Sequence, residues 1–477
     1  MSDEKKQYVS TRNACKLCSP LGACFAMRGI EGCIPLIHGS QGCATYIRRY
    51  GISHFREPID IASSNFVEAT AIFGGRDNLF TALDNVTRQY TPTAIGVTST
   101  CLSETIGENV PMYLNSYIKE RGEGKCGVAG QAPPVFYAST PSYRGTHMDG
   151  YHEAIVSAVK AIADPERKRG GERINLISGF VSAEDLRELH RLLALYGKEY
   201  TLLPDYSETL DGGTWEDYQK LPAGGTPIEA IRKMGEAAGT IYLGRAVPED
   251  NAANYLEKTC GVPAAFTDLP IGIEKTDEFF RLLTELTGYP LPAVCEKERN
   301  RLIDAYIDGH KYCSGKKAIL YGEEDFVAAM ASFLDEIGVV PILAATGAAN
   351  DKFASRVGEN LRNTKAKVTV RDDTDFSSVL EMAEAEKADF VIGNSKGYYL
   401  ARNLGIPMHD LVAGMNRLEP LPAEVETALF EMDDLQQICS PDEFKIHKPT
   451  EEEITRFLSA LETIAAITER ELGPCAT

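Results

Sequence analysis

Three cysteines of this chain stand where a backbone could wrap an inorganic group. Cys18 opens Cys18-Ser19-Pro20-Leu21-Gly22-Ala23, and Cys43 closes His38-Gly39-Ser40-Gln41-Gly42-Cys43. Cys101 ends the run Ala94-Ile95-Gly96-Val97-Thr98-Ser99-Thr100 and is followed by Leu102-Ser103-Glu104-Thr105. All three fall at strand-to-loop or loop-to-helix junctions rich in Gly and Ser, where backbone N–H groups can approach sulfide closely. Thiolates on such loops are the ligands of an iron–sulfur cluster. Separations of 25 and 58 residues put them on three different loops. Three thiolates leave a four-cysteine site incomplete, so a second subunit would have to supply the rest. The competing reading is that each is a small buried hydrophobe, a common fate of free cysteine; spacing alone does not choose between them.

Other arrangements are weaker. Cys15-Lys16-Leu17-Cys18 is a C-x-x-C pair, but no second pair follows at zinc-ribbon spacing, and it lies in a terminal arm instead of between a strand and a helix. Cys24, Cys33, Cys126, Cys260, Cys295, Cys313, Cys439 and Cys475 lie in apolar or uninformative contexts and read as packing residues. His38 and His54 are the histidines nearest the cysteine loops, and each is a candidate for supporting ligands from behind. The glycine turns Phe73-Gly74-Gly75, Asp211-Gly212-Gly213 and Gly393-Asn394-Ser395-Lys396-Gly397 match neither dinucleotide nor P-loop fingerprints.

The elements that must position these loops alternate strand and helix. Runs at 33–38, 94–98, 174–179, 201–204, 240–244, 316–322, 339–343 and 389–395 read as strands. Amphipathic helices are expected from Asn78 to Tyr90, Ala183 to Leu195 (with Ser182 as N-cap) and Asp325 to Ile337. Strand, helix, strand in this order implies right-handed crossovers and parallel sheets. The expected fold class is α/β, with three doubly wound, Rossmann-like domains around a shared interface and ligands outside the carboxyl ends of strands. The expected boundaries are an arm at 1–17, a cluster-binding domain at 18–170, further α/β domains at 171–314 and 315–410, and an acidic tail at 411–477 with a helix near Glu451–Leu472.

Composition narrows the partners. With 49 basic and 69 acidic side chains the formal charge is −20, which disfavours nucleic acid and anionic membranes. The polar start and twelve cysteines point to the reducing cytoplasm, with no membrane segment.

Taken together, several segments are similar to nitrogenase component 1, in its β-type branch. They are His38-Gly39-Ser40-Gln41-Gly42-Cys43, His54-Phe55-Arg56-Glu57-Pro58, Phe73-Gly74-Gly75, Thr100 to Gly107, Thr140-Pro141-Ser142-Tyr143-Arg144-Gly145-Thr146 with Gly150-Tyr151, and Ile392-Gly393-Asn394-Ser395. The resemblance spans residues 15–408. It implies that Cys18, Cys43 and Cys101 hold half of an iron–sulfur cluster at a subunit interface, either the eight-iron, seven-sulfide P-cluster type or a four-iron cluster. Thr146 matches a position where many catalytic β subunits place a serine beside that cluster. The implied partners are an α-type (D- or E-type) subunit, in an α2β2 heterotetramer, and an iron-protein reductase.

The resemblance also bears on subtype. Leu203 to Gly212, Gly224-Gly225-Thr226-Pro227 and the Cys15–Cys18 opening look like an N-type scaffold subunit for nitrogenase cofactor assembly, which is the first expectation. The alternative is a catalytic electron-relay (K-type) subunit of a nitrogenase or a nitrogenase-like reductase acting on dinitrogen or a C–S bond. It rests on Cys18 and Cys101, whose counterparts several N-type chains lack. The segment Ile406 to Gly414 departs from both, because it lacks the Gly-Phe-Pro loop and Asp-Arg usual after Ile-Pro.

Overall fold

Two six-residue strands with scarcely a charged side chain form the centre of the first sheet. In a computed structural model describing residues 16–121, 133–214, 219–384 and 386–410, β1 (Cys33–His38) and β3 (Ala94–Ser99) are buried at every position. Burial on both faces is what a parallel strand covered by helices requires. The short β2 (Ala62–Ser63) and β4 (Val135–Ala138) flank them in the order β2-β1-β3-β4. The second sheet contains β5 (Ile174–Ile177), β6 (Tyr200–Leu203), β7 (Gly239–Leu243) and β8 (Ala264–Thr267) in the order β6-β5-β7-β8. The third contains β9 (Lys317–Tyr321), β10 (Val340–Ala345), β11 (Thr369–Arg371), β12 (Phe390–Gly393) and β13 (Met408–Asp410) in the order β11-β10-β9-β12-β13.

Every pairing in all three sheets is parallel. The chain is therefore α/β with three doubly wound sheets. In each, the winding reverses beside the first strand, which opens a crevice at the carboxyl edge between β1 and β3, β5 and β7, or β9 and β12.

The sheets meet through side chains. Phe25 stacks on Phe180 with ring centroids 6.0 Å apart, and the Tyr151 hydroxyl donates to the Gly179 carbonyl at 3.1 Å. These contacts join the first and second sheets into one core. Asp325, on the helix after β9, accepts from the Arg245 and Ala246 backbone N–H groups after β7 and pairs with Arg356. The stretch 164–171, at the expected boundary between the first two domains, is pinned to the second sheet: Arg167 pairs with Glu236, and the Gly171 N–H donates to the Glu236 carbonyl.

Among the described residues no helix is long and apolar enough to cross a membrane. Cys15 and the tail from 411 onward, with the helix expected near Glu451–Leu472, lie outside the described residues.

Candidate functional site

The pairing of β1 with β3 sets His38 beside Ser99, so the loops leaving these strands emerge side by side at the crevice. Cys43 follows in the first turn of the Gln41–Phe55 helix, capped by Ser40, whose Oγ accepts from the Gly42 N–H at 3.1 Å. Cys101 begins the Cys101–Thr105 helix, where Thr100 and Ser103 cap each other's backbone N–H groups at 3.3 and 2.8 Å. Cys18 is the N-cap of the Ser19–Arg28 helix. All three thiols thus sit at helix starts, where unsatisfied N–H groups and the macrodipole favour a thiolate. Gly39 is required here by space: a Cβ on it would lie 2.4 Å from the Thr100 side chain, so a larger residue would part the two loops.

Exposure sorts the cysteines. Cys18, Cys43 and Cys101 are exposed, Cys313 is intermediate, and Cys24, Cys33, Cys260 and Cys295 are buried. Burial pushes the Cys33 thiol up to about 12, and it raises Cys24 as well, so neither is available as a ligand. Cys43 differs in kind. Partial burial raises its pKa first, and then the charges of Cys18 and Cys101 raise it further, against a hydrogen bond from Ser40. Cys43 therefore feels the charge of thiols on two other elements.

Such a group is unstable as three bare thiolates and calls for cations among them. Among the described residues no group of three or more His, Cys, Asp or Glu side chains could hold a single metal ion. Thiols spread over three helix starts fit a cluster whose several irons each take one ligand. Each also has an exposed apolar neighbour: Leu17 beside Cys18, Leu102 beside Cys101, and Tyr46 one turn on from Cys43.

The remaining expected residues fall differently. Thr146 is buried at the N-cap of the His147–Ile162 helix. Its hydroxyl accepts from the Met148 N–H at 3.2 Å and meets Asp149 Oδ2 at 3.2 Å, so both of its roles are filled by the cap. His38 is fully buried between Ser64 Oγ at 3.1 Å and Glu108 Oε2 at 3.3 Å; burial lowers its pKa, partly offset by Glu108. Glu108 Oε1 also accepts from the Gly75 N–H at 2.8 Å, and Ser64 Oγ accepts from the Gly39 N–H at 3.1 Å. His38 thus braces the Cys43 loop from beneath. His54 is exposed eleven residues along the helix from Cys43, about 16 Å away at helical rise, and does not join the thiols.

Sequence reasoning missed His147 and the Tyr46–Tyr50 pair. The Leu17 N–H points to His147 Nδ1 at 3.4 Å, and His147 Nε2 pairs with Glu323 Oε1 at 2.7 Å. The Tyr50 hydroxyl donates to Tyr46 at 3.2 Å, and that bond leads the effects that raise its pKa, with the Cys18 charge among the smaller ones. The i, i+4 spacing of the tyrosines was the available signal for the pair; nothing local marks His147.

Comparison with known proteins matches residues 18–419 to the family model described as nitrogenase component 1 type oxidoreductase. The nitrogenase molybdenum-iron protein beta chain of Clostridium pasteurianum is 38% identical over 399 residues, covering 83% of this chain and 85% of that one. The beta chain of the same description from Methanococcus maripaludis is 34% identical over 414 residues, covering 85% and 88%. A solved structure titled "Nitrogenase Cp1 at pH 6.5" superimposes with a TM-score of 0.81 at 33% identity, covering 93% of this chain and 98% of that chain.

Proposed function

The chain belongs to the nitrogenase component 1 type oxidoreductases, as a β-type subunit, and from that membership we propose that Cys18, Cys43 and Cys101 hold its half of an iron–sulfur cluster shared with an α-type subunit. The observation that supports this reading is that three exposed thiols stand at helix starts, with Cys43, beside the crevice between β1 and β3, feeling the charge of both Cys18 and Cys101. Thiols exposed beside Leu17, Tyr46 and Leu102 suit a surface that a partner covers. When bound, the cluster supplies one-electron redox chemistry, with an iron-protein reductase as the electron source in an α2β2 assembly in the cytoplasm. The work of this chain is to orient the thiolates, exclude water around them and set their electrostatics.

A second surface suits the other half of such an assembly. The 21-residue Ala293–Cys313 helix buries only Cys295 and exposes Leu302, Ile307 and Tyr312.

Between the two roles expected from sequence, we place electron relay to a catalytic partner first. Three thiolates from one chain are what half of an eight-iron cluster needs, and the relatives named above are molybdenum-iron protein beta chains. The scaffold role is the second reading, favoured by the segments 203–212 and 224–227. Mössbauer and EPR counting of irons in the interfacial cluster of the co-purified complex separates them: eight irons support relay, four support a scaffold. Thr146 is proposed to flank the cluster through its backbone, since its hydroxyl is committed to the cap.

A further inference from the structure

Although the three thiols all leave the first sheet and its arm, the carboxyl edge of the third sheet reaches the same place through three separate loops. After β9, Glu323 Oε1 takes His147 Nε2 at 2.7 Å, and Nδ1 of the same ring faces the Leu17 N–H at 3.4 Å. After β11, Asp373 Oδ1 accepts from Lys16 Nζ at 3.1 Å. After β12, Lys396 Nζ lies 5.7 Å from the centre of the Tyr50 ring, within cation–π range, and Tyr50 in turn feels the Cys18 charge. Residues 16 and 17 immediately precede Cys18; on its other side the Ser19 N–H donates to Ser142 Oγ at 3.3 Å.

We propose that the carboxyl edge of the third sheet clamps the Cys18 arm, with His147, seated between Leu17 and Glu323, as the positioning residue that aims the Cys18 thiolate. The inference rests on the cluster reading above. The ring's two nitrogens take opposite roles. Leu17 donates to Nδ1, so Nε2 carries the proton and donates to the Glu323 carboxylate, which fixes both tautomer and ring angle. The His147 and Glu323 side chains are 4% and 19% exposed, so this strut is shielded from water, whereas the Lys16–Asp373 pair at 37% and 63% is an outer tether. Asp373 holds a left-handed backbone, φ 41°, while its N–H donates to the Ala348 carbonyl at 2.8 Å. A non-glycine residue is kept in that region only where its surroundings over-determine it.

The test uses the full chain co-expressed with its α-type partner and purified anaerobically. Ferrous-iron release to a chelator and the EPR spectrum of the interfacial cluster are then measured. Lys16→Glu and Asp373→Lys singly are expected to speed iron release about two- to five-fold, the range an exposed ion pair supplies, and the double swap to return it to the parent rate. His147→Gln, which can reach Glu323 but not Leu17, is expected to speed release about ten-fold or more and to shift the spectrum. His147→Asn, whose side-chain oxygen replaces Nδ1 as the acceptor for Leu17 but cannot reach Glu323, cuts the strut at its other end and is expected to speed release several-fold as well. The clamp is overturned if the single swaps release iron at the parent rate, if the double swap fails to restore it, or if either His147 variant releases iron at the parent rate. Cys18→Ala separates the layers. If it keeps its iron, the ligand reading beneath the clamp fails; if it loses iron while the clamp variants match the parent, only the clamp fails.

Discussion

Replacing Gly22 by alanine is the perturbation whose effect the structure fixes most tightly. A Cβ at Gly22 would stand 1.7 Å from the His147 carbonyl oxygen, and one at Gly150 would stand 1.9 Å from the Ser19 carbonyl oxygen. The Ser19–Arg28 and His147–Ile162 helices therefore touch backbone to backbone. Real Cβ contacts do not fall below 3.0 Å, so Gly22→Ala must open the contact by at least about 1.3 Å, an overpacking strain of about 1–3 kcal/mol. The same movement stretches the Leu17–His147 and Ser19–Ser142 contacts, already 3.4 and 3.3 Å long, past hydrogen-bonding range at about 1 kcal/mol each. The total is about 3–5 kcal/mol. Urea unfolding followed by circular dichroism is expected to show the midpoint lowered by about 1 M or more, for a slope near 3 kcal/mol/M. Gly358→Ala is the control: it is a helical position with nothing within 4 Å of the added carbon, where alanine is expected to be neutral or mildly stabilising. A Gly22→Ala midpoint equal to that of Gly358→Ala would refute the close-packed account of how Cys18 is placed.

Two further expectations follow from buried carboxylates. Burial pushes Glu324 up to about 7, from an ordinary 4.5, despite its bond from Asn350. The folded protein then holds a proton that the unfolded chain releases, so this group's stability is full below about 4.5 and is lost as pH rises through about 7. Glu324→Gln is expected to be more stable than the parent by about 2 kcal/mol at pH 8 and to lose that advantage by pH 5; a pH-independent difference in thermal midpoint would count against it. Glu108→Ala removes the partner of both His38 and the Gly75 N–H, at about 2–4 kcal/mol, and should speed amide exchange at Gly75. Glu108→Gln, which keeps an acceptor, should lose less than half of that, and equal losses would show that the contacts do not matter.

The sequence carried the framework of the site because its signals are local. The apolar runs ending at His38 and Ser99 became the two fully buried strands, and Ser182 caps the Ala183–Leu195 helix through its hydroxyl as expected. The helix expected from Asn78 to Tyr90 begins at Arg76, with Leu79, Leu83 and Val86 buried. The edge strands β2, β11 and β13 are two or three residues long and exist only by pairing with a neighbour, so no periodicity announced them. The Ser19–Arg28 helix is buried on every side and lacks the amphipathic stripe that would have marked it. Within the site, cysteine identity and glycine-rich context were legible. The split between exposed and buried thiols was not, nor was the link from Glu323 through His147 to Leu17, because these depend on residues brought together from distant parts of the chain.

The most direct test of the central claim is the iron content of the purified heterotetramer carrying Cys43→Ala, since Cys43 is the thiol that feels both of the others. Loss of interfacial iron, together with the cluster's visible absorbance and EPR signal, in a complex that still assembles is the result the account predicts. Iron content and spectra equal to those of the parent complex would contradict it.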